Sequence, residues 1–218
     1  MSADRPALAF DLGASGGRAV VGSLEQDGRL TVAEVHRFEN IPVRAAGRLH
    51  WDILRLLHEV KLGIRAARRT SGELGSIGVD SWAVDFGLIG RHGELLGNPY
   101  HYRDEGHAGA MEEVTALLGR DRIFAWTGIQ FLPFNTVYQL YALRKRAPFL
   151  LEQAESLLMI PDLLRYFLTG RKATEFTNAT TTQLFNPTAR QWEKRILQAL
   201  DLPERLLLDP VEPGTRAN

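Results

Sequence analysis

Ala7-Leu-Ala-Phe-Asp11-Leu-Gly-Ala-Ser15-Gly-Gly-Arg18 decides how the chain begins to fold. An apolar run ends at an acid, Asp11, and a turn of small residues follows. Arg18 then opens a second apolar run, Ala19-Val20-Val21. The pattern predicts a strand, a tight turn and a returning strand, with a carboxylate at the bend. Gly13, Gly16 and Gly17 are expected to take backbone angles closed to other residues and to let a ligand approach the main chain. Turn amides pointing one way, joined by the Ser15 hydroxyl, would make a nest for an anion. Asp11 would repel a phosphate unless a magnesium ion stands between them, since hard cations take carboxylate and water oxygens. The segment therefore points to a nucleotide-phosphate site. It equally suits a glycine-rich hairpin that binds nothing.

Outward from this bend, Ala7–Leu12, Arg18–Leu24 and Leu30–Asn40 read as three consecutive strands, with Asp27-Gly28 turning the last two. Trp51-Asp52 leads into a helix whose Ile53, Leu57, Val60, Ile64 and Ala67 share one face. Arg65, Arg68 and Arg69 crowd its C-terminal end, where the helix dipole favours cations, and Ser71-Gly72 ends it. Gly75–Ser81 reads as a buried strand and Val84–Ile89 as a second. After Pro99 helical patterns dominate, over Gly106–Leu118, Thr136–Lys145, Pro161–Leu168 and Trp192–Leu200. Thr136 with Gln139 fits a capping box, and Gly170 fits a helix stop. From Leu208 the chain is rich in proline and glycine and reads as a linker. This order opens a ribonuclease-H-like, actin-like α/β half-domain: a mixed sheet flanked by helices, with a helical insertion.

Composition narrows the class. Over 218 residues, 26 basic and 26 acidic side chains balance, so no net field draws the chain to nucleic acid or to a membrane surface. There is no cysteine, which excludes disulfides and thiolate metal sites. No signal-peptide pattern and no apolar run of ~18 residues is present, so a cytoplasmic protein is expected. Walker-type and Gly-x-Gly-x-x-Gly loops are absent, which argues against P-loop kinases and Rossmann dehydrogenases.

Four further segments carry candidate chemistry. Asp80 ends an apolar strand much as Asp11 does, and Trp82 follows it; an acid beside an aromatic suits a sugar, although a core tryptophan with a satisfied acid reads as well. Asp80 and Asp85, five apart on a straight strand, would face opposite sides and could not act as a pair. Arg103, before the helix-capping Asp104, is placed to orient a substrate. Phe131 lies in an aromatic loop, Thr127–Thr136, that suits packing or a pocket lining. The hydroxyls and amides of Thr177–Asn186 are expected to satisfy buried backbone.

Taken together, Asp11–Arg18, His36–Phe38, Trp51-Asp52, Ser76–Asp80, Trp82–Phe86, Tyr102–Asp104, Gly128–Thr136, Tyr138–Leu140 and Thr177–Leu184 resemble the FGGY family of carbohydrate kinases. The resemblance implies a two-lobed enzyme that phosphorylates a sugar, L-rhamnulose, with ATP and magnesium in a cleft. Xylulose, fuculose or glycerol kinases of the same fold, or a lobe that binds sugar without phosphorylating it, stay open as alternatives. It further implies that Ala14, Ser15, Gly16, Gly17 and Arg18 contact the phosphates and that Asp11 attends the metal. Asp80, Trp82, Ala83, Arg103 and Phe131 would line the sugar site, with Ala83 where the family usually has glycine. The family's general base stands in a His-Asp-Thr segment, and no His-Asp pair occurs here. Residues 1–208 are thus expected to be the first lobe, with negligible kinase activity alone, and 209–218 a linker toward a second, ATP-binding lobe. An inter-lobe surface left bare would favour self-association.

Overall fold

The computed structural model describes residues 5–217. They divide into two units, one running to Pro42 and resuming over Asp52–Trp82, the other formed by Val43–Trp51 and the chain from Ala83 onward.

The first unit holds strands β1 (Ala7–Leu12), β2 (Gly16–Leu24) and β3 (Leu30–Glu39), and then helix α1 (Ile53–Ser71), with a further strand, Ser76–Ser81, after it. In the sheet, β1 is central. It runs antiparallel to β2 and parallel to Ser76–Ser81, in the order β3, β2, β1, Ser76–Ser81. Alternation along β1 buries Leu8, Phe10 and Leu12 and exposes Ala7, Ala9 and Asp11. Helix α1 covers the buried face, capped at its start by Asp52, whose side chain accepts from the Arg55 N–H, and closed by Gly72. Its buried residues are Ile53, Leu56, Val60, Gly63, Ala66 and Ala67. The expected face is therefore rotated: Leu56 and Gly63 replace Leu57 and Ile64, because Gly63 is where the helix comes closest to the sheet. A β-carbon on Gly63 would stand 2.6 Å from Phe10 Cε1 and 2.9 Å from Ala19 Cβ. Gly63→Ala is expected to destabilise this unit by ~1–2 kcal/mol, because overpacking against a buried ring outweighs the gain in helix propensity. A fall in the urea midpoint checks this; a rise would mean that propensity wins.

The Ser76–Ser81 strand departs from expectation. It is an edge strand with Ser76, Ile77, Gly78 and Asp80 exposed, not a buried one. Its parallel pairing to β1 places it in the sheet without covering either face.

In the second unit, a hairpin of β4 (Val43–Ala45) and β5 (Arg48–His50) turns at Ala46 and Gly47, both at positive φ. The Ser76–Ser81 strand, lying between these in sequence and the next, is β6; β7 (Phe86–Gly90) is wholly buried and pairs antiparallel with β8 (Ala154–Met159). Around them lie α2 (Ala110–Leu118), α3 (Arg120–Thr127), α4 (Thr136–Arg146), α5 (Pro148–Gln153) and α6 (Ile160–Thr169). Val114, Ile123, Val137, Leu140, Leu157 and Phe185 belong to one core. Two expectations change here. The capping box at Thr136 and Gln139 does not form: Asn135 is the cap residue, the Thr136 hydroxyl donates to Val84 O, and the Gln139 amide donates chiefly to Asp85 Oδ1 and Phe134 O. The segment read as a linker contributes Pro210–Val211, paired parallel with Thr174–Glu175, while Leu208 accepts from the Trp192 indole at 2.9 Å.

Candidate functional site

In the first unit, the β1–β2 bend is a tight hairpin closed by the Gly13 N–H, which donates to Gly16 O at 2.8 Å. Gly13, Gly16 and Gly17 do not have positive φ. Gly16 and Gly17 are small for another reason. A β-carbon on Gly16 would come within 3.0 Å of Phe38 O, and one on Gly17 would collide with the Phe38 ring and stand 2.9 Å from Leu12 Cδ2. The expectation of special backbone angles is therefore corrected: close packing onto β3 demands Gly16 and Gly17, while a β-carbon on Gly13 would meet Gly16 O at an ordinary 3.4 Å. Asn40 pins the loop from the far end of β3. Its Nδ2 donates to Gly13 O at 2.9 Å and its backbone N–H to Ser15 O at 3.1 Å. Ser15 is left exposed, with Ala14 and Gly16 half-buried.

A charged row crosses the sheet beside this loop. In register, Arg37 of β3 neighbours Arg18 of β2, Arg18 neighbours Asp11 of β1, and Asp11 neighbours Asp80 of β6. All four are exposed, on the face away from α1. Arg18 Nε donates to Asp11 Oδ2 at 2.8 Å, and Arg37 pairs with Glu34. Two carboxylates on adjacent strands repel, and Arg18 on the opposite flank offsets that repulsion. Asp80, taken as a sugar ligand from its neighbour Trp82, is thus placed beside Asp11. The chain bends after β6, leaving Trp82 and Ala83 half-buried.

In the second unit, the chain turns sharply at Val84, whose φ is 68°. The Asp85 N–H donates to Ala83 O at 2.9 Å across that single residue. Asp85 is fully buried. Its Oδ2 accepts from the Trp51 indole at 2.6 Å and from the Tyr102 N–H at 3.1 Å, and its Oδ1 accepts from Gln139 at 2.8 Å. Tyr102 brings Arg103 next to this turn; the Arg103 guanidinium lies over the Tyr102 ring, and that ring packs on Phe134. Phe131, in the same loop as Phe134, is half-buried beneath the Arg120 guanidinium at 4.1 Å. Thr182 and Gln183 are fully buried and bond backbone carbonyls of Ala179 and Ile129, as expected for that polar segment.

The sequence matches the profile of the FGGY family of carbohydrate kinases, N-terminal domain, over residues 7–217. The chain belongs to the FGGY family of carbohydrate kinases. It is 47% identical to a rhamnulokinase of Halalkalibacterium halodurans over 193 residues, 88% of this chain and 41% of that protein. It is 45% identical to a rhamnulokinase of Pectobacterium atrosepticum over 208 residues, 95% of this chain and 42% of that protein. The ligand-bound xylulose kinase from Lactobacillus acidophilus superposes with a TM-score of 0.84 at 20% identity, covering 96% of this chain and 42% of that one. Glycerol kinase of Plasmodium falciparum with ADP gives 0.71 at 17% identity, covering 90% and 41%. These structural likenesses show the shared sugar-kinase fold. The FGGY chain described here spans about two fifths of the length of the curated relatives it matches.

Asn40 and the Trp51–Asp85 bond are the parts of this FGGY domain that a reading by motif misses. Asn40 stands at a strand end with no motif around it, and only the β2–β3 register carries it to the loop. Trp51-Asp52 does stand out in the sequence, yet nothing local links Trp51 to an acid 34 residues on.

The β4–β5 hairpin is held electrostatically as well. Asp104 is buried, with Arg48 Nε on its two oxygens at 2.9 and 3.1 Å and the Leu49 and Gly106 N–H groups on it at 2.7 and 2.9 Å. Burial pushes its carboxyl up, but the Arg48 hydrogen bond, those two N–H groups and the Arg48 charge outweigh burial and bring it to about 2. His101 stacks on Trp51 at 3.9 Å, and burial, helped by the Arg103 charge, lowers it to about 4. Burial has the opposite effect on Asp162, an acid, which rises to about 6.

These shifts set a pH prediction. A lowered His101 gives stability that is present above pH ~6.5 and lost as pH falls through 4, roughly 3 kcal/mol. A raised Asp162 gives stability that is full below pH ~3.8 and lost as pH rises through 6, again roughly 3 kcal/mol. Over pH 4–6.5 the two nearly cancel. Asp162→Asn removes the second contribution, so between pH 6.5 and 4 that variant is expected to lose roughly 3 kcal/mol more than the parent does. Urea unfolding at each pH measures it; parallel profiles would mean that Asp162 does not titrate in this window.

Proposed function

We propose that this chain supplies the phosphate-facing and sugar-facing residues of an ATP-dependent sugar kinase that phosphorylates L-rhamnulose. One observation carries the phosphate half: the row Arg37, Arg18, Asp11, Asp80 runs across the sheet beside the exposed Ser15 hairpin. Magnesium is held typically by one or two carboxylates together with waters and phosphate oxygens. The donor set fits that habit, because Asp11 and Asp80 are adjacent and exposed, and among the described residues no cluster of three His, Asp or Glu forms a protein-only cage. Asp11 and Asp80 would hold the ion, which supplies positive charge to the phosphate oxygens. The Ser15 hydroxyl and the hairpin amides donate to the phosphate tail, and Arg18, paired with Asp11, adds a second cation close by.

The sugar half rests on the rhamnulokinase relatives, 47% and 45% identical across most of the chain. The Ala83 turn offers main-chain groups to sugar hydroxyls, and Arg103 follows Tyr102, whose N–H bonds the Asp85 carboxylate at that turn. Ala83 carries a methyl that trims the space beside that main chain.

Release of ADP by the full-length polypeptide tests the reading, with magnesium, ATP and each of L-rhamnulose, xylulose, fuculose and glycerol. A kcat/KM for L-rhamnulose at least about tenfold above the others is expected. A higher value for another sugar overturns the substrate, and no sugar-dependent turnover overturns the kinase reading. Residues 1–218 alone are expected to show negligible turnover in the same assay.

A further inference from the structure

Val84 is the least comfortable residue in the second unit. It is β-branched, yet it sits at φ 68°, where such residues are outliers. Its neighbours close a three-residue turn, with the Asp85 N–H on Ala83 O. A turn of this hand about its central residue is rare and strained. Such a conformation persists only where the surroundings over-determine it, and here they do so at the peptide that follows Val84. The Asp85 carboxylate accepts from Trp51, Tyr102 and Gln139, and the Asp85 carbonyl accepts from the Ile160 N–H at 3.3 Å. The Val84 carbonyl, in the same peptide plane as the Asp85 N–H, accepts from Thr136 Oγ1 at 2.8 Å and from Gln139 Nε2 at 3.4 Å. Both donors come from the first turn of α4. Thr136 is fully buried and Gln139 nearly so.

We infer that Thr136 is a positioning residue for sugar binding: its hydroxyl fixes the Val84 carbonyl, and so holds Ala83 in the one backbone arrangement that meets the sugar. This rests on the sugar-kinase reading above. The geometry accounts for the failed capping box. Thr136 and Gln139 have the residue types and spacing to cap α4, but their polar atoms are spent on the turn.

Thr136→Val removes the hydroxyl and keeps the shape, while Thr136→Ser keeps the hydroxyl. Two readouts are compared in the full-length protein. The first is hydrogen exchange of the Asp85 amide, which reports the turn without any ligand. Thr136→Val is expected to speed it about tenfold or more, and Thr136→Ser by less than about threefold. The second is kinetics. Thr136→Val is expected to raise KM for the sugar about tenfold while KM for ATP stays within about twofold, with Thr136→Ser close to the parent. Adding Val84→Gly, which accepts this φ without strain, is expected to recover most of the lost sugar affinity. The inference is overturned if Thr136→Val leaves Asp85 exchange unchanged, if exchange rises with sugar KM unmoved, or if both KM values rise together. A parent protein that turns over no sugar overturns the sugar-kinase reading, and the sugar half of this inference with it, before any substitution is made.

Discussion

Asp85→Ala is expected to unfold the second unit at room temperature or leave it without fixed tertiary packing. The side chain is completely buried and accepts three hydrogen bonds, from the Trp51 indole, the Gln139 amide and the Tyr102 N–H. Alanine takes away the acceptor from all three at once and leaves a cavity beside Trp51. Each buried donor stripped of its acceptor costs about 1–3 kcal/mol, so the sum reaches several kcal/mol. That is a large share of the roughly 5–15 kcal/mol that holds a domain together. Trp51 is itself fully buried and stacked on His101, so the damage spreads to the loop that carries Arg103. Loss of near-ultraviolet circular dichroism and a red shift of tryptophan emission would register it. A melting temperature within about 2 °C of the parent would show that the three donors find other acceptors. Asp85→Asn keeps one carbonyl oxygen but turns an amide toward donors, and is expected to fall between the two.

Asp11→Asn is expected to lower sugar-dependent turnover of the full-length protein by about 10²–10³-fold with its fold intact. The two halves of this expectation have separate causes. Asp11 is exposed, and its pair with Arg18 is of the surface kind, worth at most about 1 kcal/mol. Its place beside Asp80 and the Ser15 hairpin is what a magnesium-bound phosphate tail would use. An asparagine leaves one neutral oxygen where a carboxylate is needed, so the magnesium concentration for half-maximal rate is expected to rise as well. Turnover within a few-fold of the parent, at unchanged magnesium dependence, would remove Asp11 from the chemistry.

How far the sequence discloses these features depends on the range of the interaction behind each. β1, β2 and β3 follow from alternation and from Asp27-Gly28, because neighbouring residues decide them. The face of α1 comes out rotated, since counting apolar residues gives Gly63 no weight, although it is the point of closest approach to Phe10 and Ala19. β8 goes unread for a related reason. Ala154-Glu-Ser-Leu-Leu-Met159 is composed mostly of good helix formers, and only its pairing with β7 makes it a strand. In the candidate site, Asp11, Ser15 and the glycines stand out in a short window. The partnership of Asp11 with Asp80 does not, because it needs the parallel register of strands 69 residues apart in the chain. Gly16 and Gly17 are legible as necessary, but for steric room against Phe38 and not for unusual backbone angles.

That parallel register also fixes an order of events during synthesis. The β1–β2–β3 meander closes through short loops and can form as soon as Glu39 has left the ribosome. β6 must travel back past α1 before it can dock on β1, and such long-range parallel closures come late. Until then Asp11 faces no second acid. A nascent chain halted before Ser81 therefore carries the glycine loop and Asp11 but lacks the neighbouring carboxylate of Asp80.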